Sequence, residues 1–306
     1  MMRLAASIPA IFWLSLVLLA SQCFEVEPAR AESSDPARLR VATLMPLVED
    51  ALRYANREAE VVASVRRSLH SPLKEGLVDL GNPHAPSLER LAEAQPDLVI
   101  GDRGIHAALA EAVGNLGLKL LLVETSSIPG TLNSLEQISK AVGGSRVLEE
   151  RVAALERSLA GLRVAEPVRV LPLFGSPGAF YVMTERAWLG DLATQLGMTL
   201  ALDGPSDERF PGMVAASDEA IAMTRPDLVL LVAHGDPRKI RADLERRTEG
   251  RGAWSSLADA RLGVHVLDPD LFSANPGLEL ARAAKRLVGL VNGTETAEAA
   301  RTMTQP

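Results

Sequence analysis

A fourteen-residue stretch that occurs twice constrains this chain more than anything else in it. Residues 87–100 read SLERLAEAQPDLVI, and residues 217–230 read SDEAIAMTRPDLVL. Aligned without a gap they agree at seven of fourteen positions: Ser87/Ser217, Glu89/Glu219, Ala92/Ala222, Pro96/Pro226, Asp97/Asp227, Leu98/Leu228 and Val99/Val229. Each copy follows the same physical plan. The serine can accept a hydrogen bond from an orphan N–H of a first helical turn. The acidic residue that follows suits the positive end of that helix. The helix runs to Gln95 or Arg225, where the next proline biases it to stop. An unalternating apolar run then suits a strand covered on both faces, as in a parallel sheet.

The upstream spacing repeats as well. Arg40-Val41 opens an apolar segment 49 residues before Glu89, and Arg169-Val170 opens another 50 residues before Glu219. Two α/β halves of similar plan therefore follow one another.

Residues 1–31 read as an export signal. Arg3 gives a basic start, Leu4 to Ala20 is uncharged and mostly apolar, and Ala29-Arg30-Ala31 offers an A-x-A cleavage site after Ala31. An uncleaved anchor and lipidation at Cys23 are the competing fates; Gln22 stands where lipoprotein signals place a small residue. Removal of 1–31 leaves a chain without cysteine and still at net charge −7, since Arg3, Arg30, Glu25 and Glu27 leave together. Such a chain must be held by core burial, for which two modest lobes suffice. The acidic balance argues against nucleic acid and anionic membrane surfaces as partners.

The expected organisation is an N-terminal lobe over 32–143, a bridge over 144–165 and a C-terminal lobe over 166–306. In the first lobe, strands are expected at Val41–Leu44, Val61–Ala63, Leu98–Ile100 and Leu118–Val123, with a helix over about 48–56. The bridge reads as one helix over about 144–163, capped by Ser145, with Val147, Leu148, Val152, Leu155, Leu159 and Leu162 at helical intervals. At 1.5 Å per residue it would span about 27 Å. The second lobe is expected to carry strands at Val170–Phe174, Leu228–Ala233 and Val264–Leu267. A helix is expected over about 189–196, and a last one from Asn275-Pro276.

The residues now resemble a known family. VATLMP at 41–46, VDLGNPHAPSLERLAEAQPDLVIGD at 78–102, the second repeat and VHVLDPDLFSANPG at 264–277 are similar to the periplasmic substrate-binding proteins of ABC importers for iron–siderophore complexes, haem and cobalamin. The likeness covers about residues 39–290. It implies two Rossmann-like α/β lobes bridged by one long helix (the class III periplasmic-binding-protein fold) and a ligand between the lobes. It further implies a monomer in the periplasm that delivers its cargo to permease subunits, with no catalytic residue, no cofactor and no resident metal. Matching glutamates of the family dock on permease arginines, which casts Glu89 and Glu219 in that role.

Parallel sheets bind ligands beyond the carboxyl ends of their strands. That rule nominates Met45, Asp102, Arg103, His234, Asp270 and Phe272, and nearby loops add Arg66, His70, His84, Tyr181, Arg186, Trp188 and Arg209. Five of the eight aromatics beyond the signal lie between Phe174 and Phe210. Aromatic faces suit a large planar or amphipathic ligand; Tyr181 and Trp188 are the favoured contacts, and Phe174, inside a strand, reads as core. Arginines 66, 67, 103, 186 and 209 favour an anionic ferric chelate, since guanidinium recognises oxyanions bidentately. The stretch PSLERLAEAQPDLVIGDRG also resembles cobalamin-binding members, although loop 270–274 lacks their usual arginine. Haem would need His84 as its ligand, where haem-binding members usually offer tyrosine. A bare-metal receptor would need converging histidines and carboxylates, and no HxH or HxxxH spacing exists. An exported enzyme would need a catalytic signature; GxSxG, HExxH and Walker patterns are all missing.

Overall fold

The computed structural model describes residues 38–66, 73–206, 210–249, 251–272 and 274–293. The expected signal with Cys23 and Ala31 lies outside them, as do Arg67, His70 and Arg209. Among the described residues no helix is long and apolar enough to cross a membrane.

The first lobe contains β1 (Val41–Thr43), α1 (Pro46–Tyr54), β2 (Val61–Ser64), β3 (Val78–Asp79) and the hairpin β4 (Gly81–Asn82) to β5 (Ala85–Pro86). It continues with α2 (Leu88–Ala94), β6 (Leu98–Asp102), α3 (Arg103–His106), α4 (Ala110–Asn115) and β7 (Leu120–Val123). Its parallel sheet has the order β3-β2-β1-β6-β7, so the chain changes direction across the sheet between β1 and β6. Two helices, α5 (Ile128–Ala141) and α6 (Arg146–Ala160), lead to the second lobe. That lobe contains β8 (Arg169–Ser176), β9 (Ala179–Met183), α7 (Trp188–Gln195), β10 (Thr199–Leu200), β11 (Met213–Ala215) and α8 (Asp218–Ala222). It ends with β12 (Leu228–Ala233), α9 (Pro237–Thr248), β13 (Val264–Val266), α10 (Pro269–Phe272) and α11 (Leu280–Asn292). Here the order is β11-β9-β8-β12-β13, and β10 pairs with the start of β8. The change of direction falls between β8 and β12.

The repeated stretch has a local meaning in both lobes. Ser87 Oγ accepts from Arg90 N at 3.3 Å, and Ser217 Oγ from Ala220 N at 3.2 Å. The Asp97 carboxylate accepts the backbone N–H of Arg40 at 2.8 Å, and Asp227 accepts that of Arg169 at 2.9 Å. Each aspartate therefore grips the residue that opens the neighbouring strand. The grip fixes the registers Val41↔Leu98 and Val170↔Leu228. In a sheet buried on both faces a one-residue slip would turn every side chain to the wrong layer. Strand β12 shows what is protected: Leu228, Leu230 and Val232 enter one core, and Val229, Leu231 and Ala233 enter another.

Three cores result. One lies on the outer face of each sheet. The third is shared, joining Val41 and Val48 of the first lobe to Val170 and Leu230 of the second through α5, α6, α7 and α11. The bridge is one helix capped by Ser145, as expected, though shorter than the expected range. Helix α6 stops at Ala160 and spans about 22 Å. Ahead of it stands α5, fourteen residues that sequence reading passed over. Gly143 and Gly144, at φ of +88° and +85°, turn one helix into the other. The last helix also begins later than expected, because a 3₁₀ turn at Gly277–Glu279 precedes Leu280.

Candidate functional site

The carboxyl ends of the central strands and the tip of the β4–β5 hairpin bring two histidines from opposite lobes together. His234 follows β12 at the crossover point of the second sheet, and its N–H donates to Gly175 O at 2.8 Å. His84 sits at the tip of the hairpin, where Gly81 pairs with Pro86 and Asn82 with Ala85. Asn82 Oδ1 accepts the His84 N–H at 2.9 Å, a local side-chain turn that shapes the tip. The two imidazole centres are 6.3 Å apart with planes at 80°. His106 Nε2 and His265 Nε2 both meet backbone carbonyls, whereas among the described residues neither the His84 ring nor the His234 ring makes a hydrogen bond.

Behind His234 lies an aromatic row. Phe174 stacks on it at 5.4 Å. Phe174 stands opposite Tyr181 in the β8–β9 ladder, which puts both on one face, and Tyr181 meets Phe210 at 4.9 Å. Phe210 is 44% exposed, so the row opens to solvent at its far end. His234 is exposed as a residue, yet partial desolvation of its ring, and then the charge that His84 can carry, push the imidazole below its ordinary value of 6.5. A neutral imidazole is the form that binds a metal.

The other nominated residues are spread more widely. Asp102 is buried, and its carboxylate accepts from Ile105 N at 3.2 Å and from the Thr125 hydroxyl at 2.6 Å. Arg103 is exposed and donates to Leu122 O at 3.2 Å. Arg66 forks onto Asp79, whose other oxygen accepts the Gly81 N–H at 2.8 Å. This bond raises the guanidinium and, with the Gly81 N–H, holds the Asp79 carboxyl below the usual range, so Arg66 braces the foot of the hairpin that carries His84. Met45 is buried at the N-cap of α1, and Arg186 is exposed ahead of α7. Asp270 lines a separate groove of about 660 Å³ with Asp50, Tyr54, Arg151 and Arg282, and neither histidine borders it.

Trp188 and Phe272 require correction. They are 9% and 1% exposed, and they stack on each other at 6.2 Å inside the shared core. Trp188 opens α7 on the face that carries Leu189, Leu192 and Ala193, so helical geometry turns it inward. Sequence reading also left Phe174 in the core, although its ring reaches His234, and it attached no role to Phe210. Glu89 and Glu219 are exposed in the first turns of α2 and α8, one per lobe. Among the described residues no three His, Cys, Asp or Glu side chains gather into a metal-holding group.

A parallel-stranded first lobe and a second lobe whose central strands are parallel, with β9 and β11 antiparallel at one side, share a core and define a two-lobed α/β binding protein. Comparison with known proteins agrees. The model of the periplasmic binding protein family matches residues 57–249, and the chain belongs to that family. The putative ABC transporter substrate-binding lipoprotein YhfQ of Bacillus subtilis is 25% identical over 219 residues, 68% of each chain. The high-affinity heme uptake system protein IsdE of Staphylococcus aureus is 20% identical over 195 residues, 62% of this chain and 65% of IsdE. The chain thus spans about two thirds of the length of these relatives. The crystal structure of IsdE complexed with heme superposes with TM-score 0.72 at 17% identity, covering 83% of this chain and 98% of that one. The periplasmic heme-binding protein HutB of Vibrio cholerae gives 0.63 at 18% identity, covering 83% and 99%.

Proposed function

We propose that this protein is the extracytoplasmic receptor of an ABC importer for iron-bearing ligands and that its cargo is haem, held between His84 and His234. One observation carries the choice of cargo: two imidazoles from opposite lobes stand 6.3 Å apart with no hydrogen bond to either ring among the described residues. Two imidazoles on opposite sides of one iron, with metal–nitrogen bonds of about 2 Å, have ring centres roughly 6 Å apart. Phe174, Tyr181 and Phe210 supply flat apolar surface of the kind a porphyrin covers. IsdE and HutB, which share the fold, are both named for heme. The competing cargo, an anionic ferric siderophore, drew on arginines, and two of these have other partners: Arg66 holds Asp79 and Arg103 holds a backbone carbonyl. Glu89 and Glu219 are the proposed permease contacts, because a carboxylate–arginine bond is charge-assisted and can be bidentate.

Titration of ligand-free protein with haemin, ferric siderophores and cobalamin tests the reading. Haemin should bind tighter than about 10 μM, some −7 kcal/mol, with the spectrum of six-coordinate iron. His84→Ala and His234→Ala should each lose one axial ligand. Folded wild-type protein that leaves the haemin spectrum unchanged, or variants that bind as the wild type does, would overturn it.

A further inference from the structure

The hairpin that presents His84 is built on an unfavourable turn. Pro83 occupies the first central position, where its ring holds φ near −65°. The two turn types that match the twist of paired strands both require positive φ there. His84, at the second central position, is not among the residues with positive φ. A two-residue hairpin of this kind splays its strands, and a hairpin this short has little stability of its own.

One residue outside the cleft compensates. His106 lies at the end of α3, is 0% exposed, and has both ring nitrogens bonded to backbone. Its Nδ1 accepts the Asp102 N–H at 2.8 Å. That bond requires a lone pair on Nδ1, so the proton sits on Nε2, which donates to Pro83 O at 2.8 Å. The imidazole is thus a strut between the carboxyl end of β6 and the residue just before His84. The neighbouring chain makes room for it: a Cβ on Gly101 would stand 2.9 Å from His106 Nδ1 and 3.2 Å from a Leu44 methyl.

We infer that His106 is a positioning residue for the first-lobe ligand, fixing the Pro83-His84 tip so that the His84 ring faces His234. This rests on the reading of His84 as a cargo ligand. The mechanism is preorganisation. A ligand loop already in its bound geometry loses less conformational freedom when cargo arrives. Groups that orient metal ligands from behind commonly change affinity by about 10-fold to 100-fold when removed.

The two bonds of His106 can be separated. An asparagine amide reaches roughly the place of Nδ1, and a glutamine amide roughly that of Nε2. His106→Gln should keep the bond to Pro83 O, and His106→Asn should lose it. In ligand-free protein, hydrogen exchange across residues 80–87 should stay near the wild-type rate in His106→Gln and rise about 10-fold or more in His106→Asn. With haemin, His106→Asn should bind about 10-fold more weakly and shift toward five-coordinate iron, while His106→Gln keeps the wild-type spectrum. Gly101→Ala crowds the ring without removing it and should loosen the hairpin in the same way, should either His106 variant fail to fold. Unchanged hairpin exchange in His106→Asn overturns the inference. Equal loosening in both variants, in proportion to their loss of thermal stability, overturns it too, since that is plain core damage. If wild-type protein binds no haemin, the proposed cargo fails and the exchange experiment still decides the strut.

Discussion

Asp191 offers the sharpest test of how the two lobes are joined. It lies in the first half of α7, and its Oδ2 accepts the Ile128 N–H across the lobe boundary at 2.6 Å, with Gln195 Nε2 at 2.9 Å. Ile128 is the first residue of α5, so its N–H is one of the donors a helix leaves without an internal partner. A hydrogen bond to a charged acceptor contributes about 1.5–3 kcal/mol. A carboxylate at a helix N-terminus adds about 0.3–1 kcal/mol, part of which is the same interaction. Asp191→Ala should therefore destabilise by about 2–3 kcal/mol. Asp191→Asn keeps an acceptor without charge and should cost about 1 kcal/mol. For a folded unit of this size the alanine change lowers Tm by roughly 4–10 °C. Urea unfolding followed by far-UV circular dichroism and by tryptophan fluorescence measures both variants. Trp188 reports on the shared core and Trp254 on the outer core of the second sheet, so coincident transitions also test whether the lobes unfold together. A loss below about 0.5 kcal/mol in Asp191→Ala, or equal losses in the two variants, would refute the reasoning.

Three further outcomes follow from the site and the bridge. Because His234 titrates below 6.5 when folded, the unfolded chain binds more protons between the two values, so the His234 contribution is intact above about pH 6.5 and declines as pH falls toward the folded value. Haemin affinity should likewise hold down to about pH 6.5 and drop below it, and a titration curve that falls well above that pH contradicts the assignment. Glu89→Ala with Glu219→Ala should leave haemin binding unchanged and lower stability by under ~1 kcal/mol per site while uptake in cells is lost; full uptake by the double variant removes the docking role. X-ray scattering with and without cargo should give nearly equal radii of gyration, because closing the lobes would shear the core shared by α5, α6, α7 and α11. A large contraction would contradict that.

The two-lobed plan was legible because it was written twice. Serine caps, Pro-Asp strand starts and both-face burial are local devices, and each copy performs them with its own neighbours. The cleft was less legible. His84 and His234 were each nominated by loop position, but their meeting depends on how two sheets are set against each other, which no local pattern encodes. Helix α5 was passed over although Ser127 caps it and Ile128, Leu135 and Ile138 recur on its buried face. Trp188 was misplaced because aromatic type was weighed above period: with Leu189, Leu192, Ala193 and Leu196 it completes one helical face. His106 gave almost no signal, since one histidine four residues after Asp102 looks like any other buried side chain.

The core shared between the lobes has a consequence for the importer. A receptor whose halves swing shut announces its cargo by changing outline, and a permease can read that from a distance. Here the two exposed glutamates ride on helices anchored to sheets that one apolar mass holds together, so the spacing between them should change little when the cleft fills. A permease that docks on those glutamates would have to tell loaded from unloaded by touch at the mouth of the cleft, by the edge of the cargo itself. Empty receptor would compete for the same docking surface, and import would slow when receptor greatly outnumbers its cargo.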